Sequence, residues 1–205
     1  PRMADRFAAA AMMAGHPNES APLGLRNLPF TIHVGGRDGA YNRNKVARQW
    51  GRKLDALHES DPEGYVHWTQ IYEDKGHWLD REDARAVPWM ARHTRNPLPD
   101  RILWRQDDVT HCRFYWLAVK PEEQHAGSEV RARWNGQQFT LEADGVEQVI
   151  LRMNDRMLDL DEPVVVVHEG QELFRGHVPR TVQTLAATLA ERGDPAAVYS
   201  GEVVV

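Results

Sequence analysis

The character of the chain changes at Asn96-Pro97-Leu98-Pro99-Asp100. Two prolines framed by Asn and Asp cannot extend a helix or a central strand, so a domain boundary is expected there. Residues 1–100 alternate apolar runs with a helical pattern, the mark of a parallel sheet flanked by helices. In residues 101–205 helical periodicity nearly vanishes and short alternating segments take over. The expected fold class is therefore α/β: part of a parallel sheet, then a smaller antiparallel β-rich domain, sandwich-like, with one packed helix.

In the first part, Phe7 to Ala14 is apolar throughout, as in a strand buried on both faces. Gly15-His16-Pro17-Asn18 ends it. Pro29 to Val34 reads as a second strand, stopped by Gly35-Gly36. Val46, Trp50, Leu54 and Leu57 recur at helical spacing, with Arg and Lys on the other face. Asp61-Pro62-Glu63-Gly64 breaks that helix, and Tyr65 to Tyr72 forms a third strand. Asp80-Arg81-Glu82-Asp83 is an acidic helix start with Asp80 as N-cap; Pro88 kinks the helix or begins another at Trp89.

In the second part the firmest prediction is a hairpin. Glu129 to Trp134 and Gln137 to Glu142 alternate around Asn135-Gly136, a strong two-residue turn signal. That turn pairs Ala132 with Phe139 and Val130 with Leu141. It puts Val130, Ala132, Trp134, Phe139 and Leu141 on one face. Further strands are expected at Arg113 to Val119, Val146 to Met153, Val164 to His168, Glu172 to Arg175 and Val198 to Val205, with Gly170 turning between the third and fourth. One helix carries an apolar stripe of Val182, Leu185, Ala186, Leu189 and Ala190, capped by Thr181 and ended by Gly193.

Bulk properties narrow the function. A net charge of −5 with no long basic block argues against a nucleic-acid partner. The longest purely apolar run, Phe7 to Ala14, is far too short to span a membrane. Cys112 is the single cysteine, which excludes an internal disulfide and argues against a thiolate zinc site. His111, Cys112, His125 and His168 have no metal-ligand spacing. Gly35-Gly36 does not continue as a phosphate-binding loop. Glu122-Glu123 and Asp159 to Glu162 read as solvated loop charges. The chain opens at Pro1 and runs almost at once into an apolar segment, so sequence upstream of Pro1 is expected.

Two residues carry chemistry. Asp38 lies in Gly35-Gly36-Arg37-Asp38-Gly39-Ala40-Tyr41, beyond the second strand; His77 lies in Lys75-Gly76-His77-Trp78, beyond the third. In parallel sheets functional side chains gather on the loops past the strands' carboxyl ends. Imidazole titrates near neutrality and can serve as a general base, and a carboxylate can hold its tautomer. An acid followed by a histidine is the back half of a Ser…Asp…His order, yet no G-x-S-x-G is present. Arg-Asp-Gly is also ordinary turn chemistry, and His77 is one of ten histidines. The competing acids are weaker: Asp74 is too near His77 in sequence, and Asp80 and Asp83 read as helix-start charges.

On these pieces (Phe7 to Gly15, Leu28 to Asp38, Tyr72 to Trp78) the first half of the chain resembles the C-terminal half of an α/β-hydrolase, of the carboxylesterase, dienelactone-hydrolase and polyhydroxybutyrate-depolymerase-like kind. The resemblance implies ester hydrolysis through an acyl-enzyme, a base role for His77 and an orienting role for Asp38. It implies no cofactor, and it puts the nucleophilic serine and oxyanion hole upstream of Pro1. Expected partners are a small-molecule or polymer ester and the missing N-terminal segment. The chain alone is expected to be inactive, with an exposed sheet edge that would aggregate or recruit a partner.

Secondary candidates flank the pair. Tyr41 and Trp78 can line an acyl pocket, although aromatics beside such turns more often pack. His16 and Asn18 border the same cleft or simply form a turn. Phe114-Tyr115-Trp116 resembles a stacking platform, but strand alternation would split it across two faces, so core and interdomain packing is expected. The rival function, from another class, is a non-catalytic binding module: a degenerate hydrolase whose β domain holds a glycan, polymer or protein.

Overall fold

A computed structural model describes residues 1–205, and the chain divides into two units, Met3–Asn96 and Pro97–Val205. The fold is mixed α/β, with one parallel sheet, two further sheets that are mainly antiparallel, and three helices. No helix is long and apolar enough to cross a membrane.

The first unit is built on three parallel strands: Ala10–Met13 (β1), Phe30–Gly35 (β2) and His67–Tyr72 (β3), in the order β1-β2-β3. Helix Arg43–Ser60 (α1) makes the crossover from β2 to β3, and the short helix Ala86–Met90 (α2) follows β3. Side chains of β2 alternate between faces. Phe30, Ile32 and Val34 take one, where the Trp50 ring of α1 lies 6.2 Å from that of Phe30. Ala47, Gly51 and Leu54 complete the buried face of α1, with Val46 and Leu57 half-buried at its margins. Burying Ile32 and Leu54, both fully enclosed, contributes about 1.5–3 kcal/mol apiece. Thr31 and His33 take the opposite face with Trp68, whose ring meets His33 edge-on at 4.6 Å and Trp89 of α2 at 6.4 Å.

Burial on both faces thus falls on the central strand β2, every residue of which is buried, and not on Phe7–Ala14. Only Ala10–Met13 of that run pairs, Phe7 and Met13 are exposed, and the strand is partly buried because it has a neighbour on one side alone. The acidic helix start is also corrected. Leu79–Arg85 is a 3-10 segment with positive φ at Leu79, Asp80 and Arg81, and Asp80 caps nothing. Its carboxylate accepts a hydrogen bond from Lys75 Nζ at 2.8 Å. Pro88 sits in the first turn of α2, where its missing N–H costs no helical bond.

The second unit contains Arg101–Arg105 (β4), Arg113–Phe114 (β5), Leu117–Ala118 (β6), Glu129–Asn135 (β7), Gln138–Asp144 (β8), Ile150–Met153 (β9), Val164–His168 (β10), Gln171–Gly176 (β11), helix Val182–Arg192 (α3) and Gly201–Val204 (β12). One sheet runs β11-β10-β8-β7-β4 and the other β12-β9-β6-β5. Aromatic pairs join them: Trp104 with Phe114 at 6.1 Å and Trp116 with Phe139 at 5.3 Å. Pro99, in the proline segment, offers its carbonyl to the indole N–H of Trp116 at 2.7 Å and of Trp134 at 3.3 Å. This unit is not the smaller of the two, nor is it wholly antiparallel, because β10 pairs with β8 in parallel.

The hairpin forms with its turn moved by one residue. Asn135 pairs with Gln138, Trp134 with Phe139 and Ala132 with Leu141, so Gly136-Gln137 makes the turn. Gly136 has φ +54 and Gln137 is not in the left-handed region. A type II′ turn asks for that at its first position only, whereas Asn-Gly at the tip would need both residues left-handed. The pairing shift is two residues, so the expected inward face survives, with Val130, Ala132, Phe139 and Leu141 buried. Of Phe114-Tyr115-Trp116, Phe114 ends β5 and Tyr115-Trp116 make the tight turn into β6, with Tyr115 at φ +53, and all three rings are buried in the second unit.

Helix α3 is capped as expected: Thr181 Oγ1 accepts from Thr184 N–H at 3.0 Å, and Gly193 closes it at φ +61. Its buried face is wrong-footed relative to the sequence pattern. Thr184 and Thr188 are buried, while Val182, Leu185, Ala186, Leu189 and Ala190 are exposed. Polar anchors decide the orientation. Arg152 of β9 grips Glu191 bidentately at 2.7 and 2.9 Å, and Thr188 Oγ1 accepts from Tyr199 N–H at 3.1 Å and donates to Thr184 O at 2.9 Å.

Candidate active site

Beyond the carboxyl ends of β2 and β3 the two loops meet backbone to backbone. Gly36 N–H donates to Tyr72 O at 2.7 Å, and Arg37 N–H donates to Lys75 O at 2.9 Å. Glycine is required at this approach. A Cβ on Gly35 would collide with the Gly76 carbonyl oxygen and stand 2.5 Å from that of Lys75; one on Gly36 would stand 2.7 Å from the Glu73 Cα. The loop then turns into α1, where Asn44 N–H donates to Asp38 O at 3.1 Å and Asn44 Nδ2 donates to Gly36 O at 2.8 Å.

That meeting brings Asp38 and His77 together. His77 Nδ1 lies 2.9 Å from Asp38 Oδ2. An ionised carboxylate only accepts, so Nδ1 carries the proton and donates, and in the neutral imidazole this leaves the lone pair on Nε2. The Asp38 side chain is 2 % exposed and that of His77 is 43 % exposed. A buried acid holding a solvent-accessible imidazole is an arrangement able to take a proton from a hydroxyl and return it. The competing acids engage elsewhere: Asp74 and Asp80 face Lys75 Nζ at 3.8 and 2.8 Å.

The flanking aromatics do not pack into a core. Tyr41 is 79 % exposed and Trp78 is 84 % exposed, which is unusual for side chains of this size. The Trp78 ring meets His77 edge-on at 5.4 Å. Non-glycine residues with positive φ cluster on both sides of the pair: Tyr41 and Asn42 after Asp38, and Leu79, Asp80 and Arg81 after His77. Such conformations each cost of order 1–3 kcal/mol and recur at functional sites. His16 and Asn18 bond to one another, with Asn18 N–H donating to His16 Nδ1 at 2.9 Å, and neither bonds to Asp38 or His77.

Sequence reasoning missed Arg43. Its Nη1 lies 3.3 Å from Asp38 Oδ1, and its guanidinium carbon sits 4.9 Å from the centre of the Tyr41 ring. The available signal was positional: a cation at the first residue of a helix is unfavourable beside the positive end of the helix dipole unless an anion faces it. A buried polar chain on the opposite face of β2 was missed as well. His33 is fully enclosed, with Nε2 2.9 Å from Thr31 Oγ1 and Nδ1 3.0 Å from the Tyr72 hydroxyl. Burial holds the His33 pKa below its ordinary value; Asp83 opposes that shift and Arg85 adds to it. Burial likewise raises that of Tyr72.

No serine hydroxyl bonds to this pair. Ser20, Ser60 and Ser128 donate to the carbonyls of Pro17, Leu57 and His125, and Ser200 is a second-unit residue with a buried, unpartnered hydroxyl. No three His, Cys, Asp or Glu side chains are gathered to hold a metal ion. The class defined by fold and site is an α/β chain with an Asp–His pair at the carboxyl ends of a parallel sheet. Compared with known proteins, it matches no family model, no curated protein and no solved structure.

Proposed function

We propose that this chain is the acid–base portion of a serine hydrolase of α/β-hydrolase type, acting on carboxylic esters of a small molecule or polymer, with the nucleophilic serine supplied by a segment outside these 205 residues. The observation that carries the reading is the 2.9 Å contact between His77 Nδ1 and Asp38 Oδ2, which leaves Nε2 free. Support also comes from where the pair lies, on adjoining loops beyond two neighbouring parallel strands. In the proposed reaction Nε2 takes the serine hydroxyl proton as the serine oxygen bonds to the ester carbonyl carbon. The imidazolium returns that proton to the departing alcohol oxygen as the C–O bond breaks, giving an acyl-enzyme. Water then attacks the acyl carbon, again giving its proton to Nε2, and the proton passes back to the serine as the carboxylic acid leaves. Tyr41 and Trp78 would contact the substrate beside the reacting bond.

The test has two arms. The 205-residue protein should hydrolyse no activated ester above background, because an imidazole without nucleophile or oxyanion hole has little to act on. In a polypeptide that also carries the serine, His77→Ala should lower kcat by about 10³-fold or more with the fold intact, and Asp38→Asn by about 10³–10⁴-fold. Turnover retained in His77→Ala removes the histidine from the mechanism. A second reading, a binding module, draws on the same exposed Tyr41 and Trp78. It predicts ligand binding that survives His77→Ala and is lost in Tyr41→Ala or Trp78→Ala.

A further inference from the structure

We propose that Arg43 is a positioning residue for the Asp38–His77 pair: it is the permanent countercharge of Asp38 that lets His77 stay neutral and so keep its base. The catalytic consequence rests on the hydrolase reading; the charge relation itself does not.

The starting point is the burial of Asp38, whose side chain is 2 % exposed. A carboxylate withdrawn from water must find a cation and hydrogen bonds, or give up its charge. Its two oxygens are divided between two donors, Oδ1 toward Arg43 Nη1 at 3.3 Å and Oδ2 toward His77 Nδ1 at 2.9 Å. Were His77 the only available cation, neutralising Asp38 would mean protonating Nε2, and the lone pair that makes imidazole a base would be gone. A guanidinium is charged at every accessible pH, so it supplies the countercharge without taking part in proton transfer.

The other charged groups of these loops are disposed differently. Lys75 is engaged by Asp74 and Asp80, Arg48 Nη2 bonds Glu73 Oε2 at 2.5 Å, and Arg37 is exposed. Arg43 is held from two sides, by the Asp38 carboxylate and by the Tyr41 ring. It opens α1, a helix with no acidic residue in its first turn, so Asp38 is what compensates a cation at that end. The strained backbone at Tyr41 and Asn42, φ +53 and +57, is what delivers the arginine to this position so soon after the aspartate.

The test reads protonation directly, on the 205-residue protein and without any serine. In a long-range proton–nitrogen spectrum at neutral pH, a ring nitrogen bearing a lone pair resonates far downfield of one bearing a proton. His77 signals are identified by their loss in His77→Gln. The native protein and Arg43→Lys should show one ring nitrogen of each kind. Arg43→Gln should move the Nε2 signal to the protonated position. An Arg43→Gln spectrum identical to the native one overturns the proposal, and so does a native protein whose His77 already carries both protons. If Arg43→Gln fails to fold, Asp38→Asn/Arg43→Gln decides. Recovery of a folded spectrum supports the countercharge role, because the buried carboxylate that needed a countercharge is then gone, and persistent unfolding overturns it. Turnover measurements on the serine-bearing polypeptide judge the hydrolase reading separately, so either idea can fail alone.

Discussion

His33 is the buried histidine of the sheet, and its surroundings set a pH dependence of stability. The Thr31 and Tyr72 hydroxyls meet its two ring nitrogens and also the carbonyls of Trp68 and Glu82, and the ring is shut off from water. Burial lowers the folded pKa below the ordinary 6.5, against the pull of Asp83 and with that of Arg85. The unfolded chain therefore binds the extra proton more readily, so the stabilisation is complete above about 6.5 and is lost as pH falls through the lowered folded value. Urea midpoints from pH 7.5 to 5 should drop more steeply in the native protein than in His33→Gln; equal slopes would refute this. His77 stands in contrast, half-exposed and on a loop. Asp38 and His77 were legible in the sequence because each sits on a glycine-rich turn directly after an apolar run, so their loop placement follows from chain order. Arg43 and the His33 chain were not legible, because what defines them is contact with residues on other strands or across a turn whose left-handed backbone no composition rule announces.

At the scale of elements, the two longest helices and most strands followed the periodicity, but β4 was not anticipated, Arg113 to Val119 is two short strands about a turn where one was expected, and orientation did not always follow the pattern. Helix α3 shows why. Its leucines form the more apolar stripe, yet Thr184, Thr188 and Glu191 dock it, since a threonine methyl packs while its hydroxyl meets a backbone group that would otherwise be unpaired. Thr188→Ala should cost about 1–3 kcal/mol in urea unfolding by stripping the Tyr199 N–H of its acceptor. Leu185→Ala, at a position 43 % exposed, should cost within about 0.5 kcal/mol. The reverse ranking would restore the stripe as the packed face. The hairpin illustrates the other limit. Its faces were readable from alternation, but the turn residue was decided by whether one or two positions go left-handed, a choice that Asn-Gly leaves open.

For the whole molecule, local alternation revealed the α/β character of the first half and the β-rich character of the second. It did not reveal that β10 would lie parallel to β8, a pairing between strands separated by β9, nor that β4 would complete that sheet. Long-range pairings leave no periodic trace in either strand. The parallel sheet itself ends at β1, a partly buried edge bearing exposed Met13. Unpaired strand edges recruit other strands, so light scattering should show concentration-dependent self-association that Met13→Lys reduces, with thermal stability nearly unchanged. Scattering indifferent to Met13→Lys would remove the edge as its cause. The closure of main chain on main chain at Gly35 and Gly36 has a different reach. With no side chain wedged between the loops, the span from carboxylate to imidazole is a property of the scaffold, insulated from substitutions at its rim. Trp78 is therefore free to diversify toward new ligands while the proton-handling machinery beneath it holds still, whereas Tyr41 is tied to that machinery through Arg43.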